Sequence, residues 1–159
     1  MRKPDLAFLL AHPAHFIACG LGSGLSPFAP GTAGTLAAWL MYPALRPWFS
    51  EAAFALFLAG AFVAGIYAAG RTGRALGVAD HGAIVWDEIV PFWLVLFLTP
   101  AGLLWQVAAF FWFRFFDVVK PQPARWIDGH MKNGLGVMLD DVVAAGYTLL
   151  VIAAFKALF

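Results

Sequence analysis

Long apolar runs separated by short polar knots dominate the chain. The runs cover Gly34 to Trp48, Ala52 to Ala69, Ile89 to Phe113 and Val142 to Phe155, the last reaching Phe159 where Lys156 snorkels. A transmembrane helix needs roughly 20 such residues, within a range of about 17 to 25. The second run fits, and the first and last stand at the short limit. The third, 25 residues long, carries the turn sequence Thr99-Pro100-Ala101-Gly102 at its middle. It reads as one tilted helix, or as a hairpin over 84–99 and 101–119 if flanking residues are drawn in.

Basic residues decide between the two, because Lys and Arg gather on the cytoplasmic side of a membrane protein. Five spans with the N-terminus inside put Arg2, Lys3, Arg71, Arg74, Arg114, Lys120, Arg125 and Lys132 on the cytoplasmic side, leaving Arg46 and Lys156 outside. A single third span would split the ten evenly. The hairpin is favoured, and it draws Asp87, Glu88, Arg114 and Asp117 into or onto the ends of membrane helices. The fold expected is an all-α polytopic membrane bundle of four to five short transmembrane or re-entrant helices. Its polar active site lies on the cytoplasmic side, and residues 1–159 form a single domain.

Composition agrees. The chain is 62% hydrophobic and 12% charged, with a mean hydropathy of +0.81, against about 45–50% apolar and about 25% charged in soluble domains. A net charge of +1 supplies no basic field for nucleic acid, which drops out as a partner. The single cysteine, Cys19, forms no internal disulfide. Arg2 and Lys3 precede an apolar stretch, but Asp5, His12, Pro13 and His15 interrupt it, so no cleaved signal peptide is expected.

An ionisable group inside a bilayer costs at least about 2.5–3.5 kcal/mol at a helix centre, so it persists with a partner or a task. Four polar clusters share one side in the five-span arrangement: 20–35, 80–88, 114–132 and 134–141. The first, GLGSGLSPFAPGTAGT, reads as irregular, and the helix after it is expected to begin near Gly34. With hydroxyls at Ser23, Ser26, Thr32 and Thr35 it suits a phosphate at a helix N-terminus, though a structural turn is the commoner use of such a segment. It is not the nucleotide P-loop, since no Gly-Lys-Ser/Thr follows. The pairs Asp87-Glu88 and Asp140-Asp141 each stand at the entrance of an apolar helix. Carboxylates crowded together repel unless a hard divalent cation, Mg²⁺ above all, joins them; singly, such acids also serve as helix caps. Arg114, Asp117 and Lys120, three apart, form a charged stripe on a helix. It fits a phosphate holder, or an Arg114–Asp117 ion pair beside a lipid-binding basic stretch. His81 is a general acid or base, or a hydrogen-bonded turn residue. His12, His15 and His130 lack zinc-ligand spacing, and Trp39, Trp86, Trp93, Trp105 and Trp126 read as packing and interfacial anchors. No cysteine-phosphatase loop or Gly-x-Ser-x-Gly supplies a covalent nucleophile. What remains suits metal-assisted phosphoryl chemistry on a lipid head group.

The segments GSGLSPFAPGTAGT, DHGAIVWDEIV, FRFFDVVKPQP and GLGVMLDDVVAAG, in this order and spacing between Gly20 and Gly146, closely resemble the phosphatidylglycerophosphatase A family. The resemblance implies a Mg²⁺-dependent enzyme of the bacterial inner membrane. Its substrate would be phosphatidylglycerophosphate, which loses its terminal phosphate to leave phosphatidylglycerol. Family acids carry over onto Asp80, Asp87, Glu88, Asp117, Asp140 and Asp141, and basic positions onto Arg114, Lys120 and Arg125. Two departures stand out: Pro91 where glycine is usual, and RWIDGH for the common Arg-Trp-x-Asp-Arg. The first suggests a helix that begins near Glu88 or is kinked there, and the second raises the burden on Arg125 and Lys132.

The arrangement expected has Asp87, Glu88, Asp140 and Asp141, with Asp117, at Mg²⁺. Asp80 or one of these acids orients water. Arg114, Lys120 and Arg125 hold phosphate, supported by Ser23, Thr32 and Thr35 of the glycine-rich loop. A CDP-alcohol phosphotransferase matches at Asp128-Gly129 and Gly136-x-x-x-Asp140 but fails at Ala144. A small channel or transporter with acids along an ion path is the rival from another class.

Overall fold

The computed structural model describes residues 3–158. Arg2, counted above among the cytoplasmic basic residues, and Phe159, the far limit of the last apolar run, lie outside the described residues. Eight α-helices follow one another: α1 (Leu6–Leu10), α2 (Pro13–Ala18), α3 (Pro30–Leu45), α4 (Glu51–Leu76), α5 (Trp86–Leu98), α6 (Leu103–Val119), α7 (Ala124–His130) and α8 (Gly134–Leu158). Short 3-10 turns occupy Gly20–Leu25 and Arg46–Trp48. All regular structure among the described residues is helical.

The middle apolar run is the hairpin: α5 and α6 are joined across Thr99–Gly102, at bounds close to those the sequence predicts. Helix α5 forms the axis of the molecule. Ile89, Val90, Phe92, Trp93, Val95 and Leu96 are all buried, and a helix apolar on every side is one enclosed by protein. Helices α3, α4, α6 and α8 surround it. Two indole N–H groups tie it in place: Trp86 Nε1 donates to the Ala61 carbonyl of α4 and Trp93 Nε1 to that of Ala38 in α3, both at 2.9 Å. Pro91 lies inside the first half of α5, where its missing N–H withdraws a partner from the Asp87 carbonyl.

Three boundaries differ from the sequence reading. Helix α3 starts at Pro30, not near Gly34, so Pro30 to Thr35 of the glycine-rich segment are helical; proline at the first position has its φ preset and loses no hydrogen bond there. Helix α8 starts at Gly134, with Asn133 Oδ1 accepting from the Gly136 N–H at 2.9 Å. Asp140 and Asp141 therefore sit in its second turn and not at its entrance. The stripe Arg114-Asp117-Lys120 is broken, because α6 ends at Val119 and Lys120 adopts a left-handed conformation, φ 47°.

Helices α4 and α8, of 26 and 25 residues, are long and apolar enough to cross a membrane. Helices α3 and α6 have 16 and 17 residues and α5 has 13; at 1.5 Å per residue α5 is roughly 20 Å long. The exterior is apolar, with Leu56, Val63 and Tyr67 of α4, Leu104 and Phe111 of α6 and Leu150 of α8 exposed. So large an uncovered apolar surface belongs to a membrane-associated protein. At the end away from the acids, Arg46 lies 5.2 and 5.4 Å from the ring centroids of Phe97 and Phe54, a stabilising seat for a cation.

Candidate active site

Five elements converge on one end of the bundle: the start of α3, the loop before α5, the first turn of α5, the last turns of α6 and the second turn of α8. Between them lies a cavity of about 320 Å³, lined by Asp80, Asp87, Glu88, Asp117 and Asp141, by Arg114 and Lys120, and by Ala29, Pro30 and Gly31.

The acids form two groups. Carboxylate oxygens of Glu88, Asp117 and Asp141 lie within 4.8 Å of one another, as do those of Asp80, Asp128 and Asp140. Neighbours on a helix diverge by about 100°, so Asp140 and Asp141, both buried, serve different groups. Asp87 lines the same cavity but belongs to neither triad.

Each group holds a tethered cation. Arg114 Nη1 lies 3.0 Å from Glu88 Oε1 and 2.5 Å from Asp117 Oδ2, and donates to Thr35 Oγ1 at 3.3 Å. Lys120 Nζ donates to Asp140 Oδ2 and is 3.8 Å from Asp128 Oδ1, which Lys132 approaches to 3.6 Å. The left-handed turn at Lys120 is what lets it leave the α6 axis and reach α8. Burial works against the Lys120 ammonium, but the bond to Asp140 and the charges of Asp140, Asp141 and Asp80 outweigh it and raise its pKa. Loss of water around the Asp80 carboxyl pushes its pKa up, aided by Asp128 and Asp117 and opposed by Lys120 and Lys132.

Asp87 Oδ1, Glu88 Oε2, Asp140 Oδ1 and Arg114 Nε are buried without a hydrogen-bond partner. Such atoms are expensive unless something pairs them. Free carboxylate oxygens of this kind are what a divalent cation with oxygen preference takes; Glu88 belongs to the first triad, Asp140 to the second, and Asp87 lines the cavity. The residues present thus fit a metal ion. Gly31 completes the wall: a Cβ there would run into the Glu88 carboxylate.

The structure brings Asp80, Asp87, Glu88, Asp117, Asp141, Arg114 and Lys120 around the cavity, with Asp140 joined through Lys120 and Thr35 through Arg114. Three residues singled out in the sequence stand apart. Ser23 Oγ donates to the Gly20 carbonyl at 2.8 Å within its own turn, Thr32 is half-buried in the first turn of α3, and exposed Arg125 donates to the Val119 carbonyl at 3.3 Å. His81 takes the turn role, its Nδ1 accepting from the Ala83 N–H at 3.1 Å. The sequence reading missed Asp128 as a site acid; its position four before Lys132 was the available signal. It also missed Gly31, whose role depends on contact with Glu88 and leaves no trace in spacing.

The family model for phosphatidylglycerophosphatase A (PgpA) matches residues 16–156. Among curated proteins, phosphatidylglycerophosphatase A of Haemophilus influenzae is 44% identical over 149 residues, covering 92% of this chain and 91% of the relative. Its Escherichia coli counterpart is 41% identical, covering 85% and 78%. A protein of Bacteroides thetaiotaomicron described as a putative phosphatidylinositol-3-phosphatase is 41% identical, covering 98% of each. No solved structure gives a significant match. Matched along most of its length, with its acids gathered at one end of an apolar bundle, the chain belongs to the phosphatidylglycerophosphatase A family.

Proposed function

We propose that this chain is a Mg²⁺-dependent phosphatase of the bacterial inner membrane that hydrolyses phosphatidylglycerophosphate to phosphatidylglycerol and inorganic phosphate. The chain acts as one domain over 1–159, crosses the membrane several times and works at the cytoplasmic face. Family membership supports the reaction, and the observation that carries the chemistry is the cavity in which buried, unpaired carboxylate oxygens face Arg114 and Lys120.

Glu88, Asp117 and Asp141 hold the divalent ion, with Asp87 beside them. An ion held there would supply Lewis-acid polarisation of the phosphate ester and relieve the repulsion among the acids. Arg114 presents its fork of donors to the phosphate, and Lys120 adds a point charge where negative charge develops. Both are oriented by acids before substrate arrives, so little reorganisation is needed. Asp80, in the loop at the cavity, orients the attacking water; its raised pKa brings it closer to the pH at which a base accepts a proton efficiently.

Release of inorganic phosphate from phosphatidylglycerophosphate by the purified protein, abolished by chelation and restored by Mg²⁺, is the expected result. Formation of CMP from a CDP-lipid would indicate a phosphotransferase instead. Ion flux without hydrolysis would indicate a transporter.

A further inference from the structure

Helices α3 and α6 contribute to one core around α5, through Ala38 on one side and Ala109 and Phe113 on the other, and their ends flank the cavity. Ala29 to Gly31 open α3, and Arg114 and Asp117 close α6. Both helices pack on α5, and side chains bridge the seam between them. Thr35 Oγ1 accepts from Arg114 at 3.3 Å, Trp39 Nε1 donates to Gln106 Oε1 at 2.8 Å, and the Trp39 ring stacks on Phe110 with centroids 5.4 Å apart. By helical spacing Thr32, Thr35 and Trp39 share one edge of α3, and Phe110, Arg114 and Val118 share the edge of α6 that meets it.

Outside the seam the surface is apolar and uncovered. Phe28, next to the cavity-lining Ala29, is 84% exposed, Phe111 67% and Val118 74%. Inside, the seam ends on charge. Arg114 offers a long bond to Thr35 and a buried Nε with no partner, so an arriving anion can replace the threonine and take the free donor. A cation bordering uncovered apolar surface is complementary to an amphiphile that has one phosphate and two chains. A water-soluble phosphate ester has no use for the apolar surface.

We propose that the seam between α3 and α6 is the lateral doorway and seat for the glycerol backbone and upper acyl segments of a diacyl phospholipid. The phosphate slides sideways to Arg114 while the chains stay in the bilayer. The Trp39–Gln106–Phe110 bridge latches the two edges of the doorway and parts as a lipid enters from the bilayer. This rests on the reading of a lipid phosphate ester as substrate.

The test staples the seam. Cysteines replace Trp39 and Phe110 (Trp39→Cys with Phe110→Cys) and are joined by a short bis-maleimide. Cys19, the one native cysteine, is buried, and burial pushes its thiol up to about 11, so it stays protonated and unreactive. Turnover is compared for dioleoyl phosphatidylglycerophosphate in vesicles and for the dihexanoyl form in solution. Stapling is expected to lower vesicle turnover about tenfold or more relative to the unstapled double variant, with a change within about twofold on the soluble form. Undiminished vesicle turnover after stapling overturns the proposal. Equal loss on both substrates overturns it too, since the staple would then be disturbing the acids and not closing a door. Phe28→Ser guards against a double variant that fails to fold: its KM for vesicles is expected to rise about fivefold more than its KM for the soluble form, and an equal change in both overturns the proposal. If the unmodified protein releases phosphate from neither substrate, the phosphatase reading falls, and the doorway with it.

Discussion

Asp141 touches most of what the site needs: it is buried, shares a triad with Glu88 and Asp117, and lines the cavity. Asp141→Asn keeps the shape and removes the charge. Phosphate release is expected to fall by about 100-fold or more, with circular dichroism and gel-filtration behaviour in detergent unchanged; wild-type rates would remove Asp141 from the site. Gly31 makes a subtler case. Because a Cβ there meets the Glu88 carboxylate at Oε1, the oxygen that Arg114 also holds, Gly31→Ala should displace Glu88 without emptying the triad. A misplacement of about 1 Å costs on the order of 100-fold in rate, so a large fall in kcat at near-native melting temperature is expected. A rate within twofold of wild type would mean that Glu88 moves freely.

Among the elements, the hairpin was legible because the distribution of ten basic residues is uneven only if α5 and α6 are separate helices. The starts of α3 and α8 were not. Polar residues such as Asp140 look like loop in a hydropathy reading, whereas here Lys120 reaches Asp140 across the bundle and lets it sit within a helix. The short helices α1, α2 and α7 offered too few residues for a period to show. Helix α2 is held to α4 by a specific contact. Thr72 Oγ1 donates to the Ala14 carbonyl at 3.3 Å and lies 2.9 Å from His15 Nδ1. Burial lowers the His15 pKa, and His12 and Arg71 lower it further. The unfolded chain then binds the proton more readily, so stability is fully present above about 6.5 and declines as pH falls through and below that value. Melting curves between pH 7.5 and pH 5 (about that range) should show the decline, and His15→Gln should flatten it. A slope unchanged by that substitution would assign the acid sensitivity to other groups.

Across the whole molecule, seven of the nine acids collect at one end: Asp80, Asp87, Glu88, Asp117, Asp128, Asp140 and Asp141. Among the described residues three cations, Arg114, Lys120 and Lys132, pair with them, leaving four formal negative charges to be neutralised. The acid pairs and their shared side could be read from the sequence. How the pairs would divide could not, because that depends on the rotation of α8 against α5 and α6, and on Lys120 leaving its helix. A ligand bound by the folded state alone stabilises it. Millimolar Mg²⁺ should therefore raise the melting temperature of the detergent-solubilised protein, chelation should lower it, and Asp141→Asn should blunt the response. Equal shifts in both proteins would place the ion elsewhere.

The shortness of α5 reaches beyond the protein itself. A helix of 13 residues falls about 10 Å short of a typical hydrocarbon layer of about 30 Å, and in the proposed reaction its acidic end is the floor on which the phosphate lands. Deformation of a lipid sheet costs a fraction of a kcal/mol per Å, so the surrounding membrane acts as a tuning element. Thin sheets deliver their head groups close to that floor, while thick ones must sag to meet it. Turnover in vesicles graded by chain length should decline as the sheet thickens, and a flat profile would show that the lipid descends with no help from its neighbours.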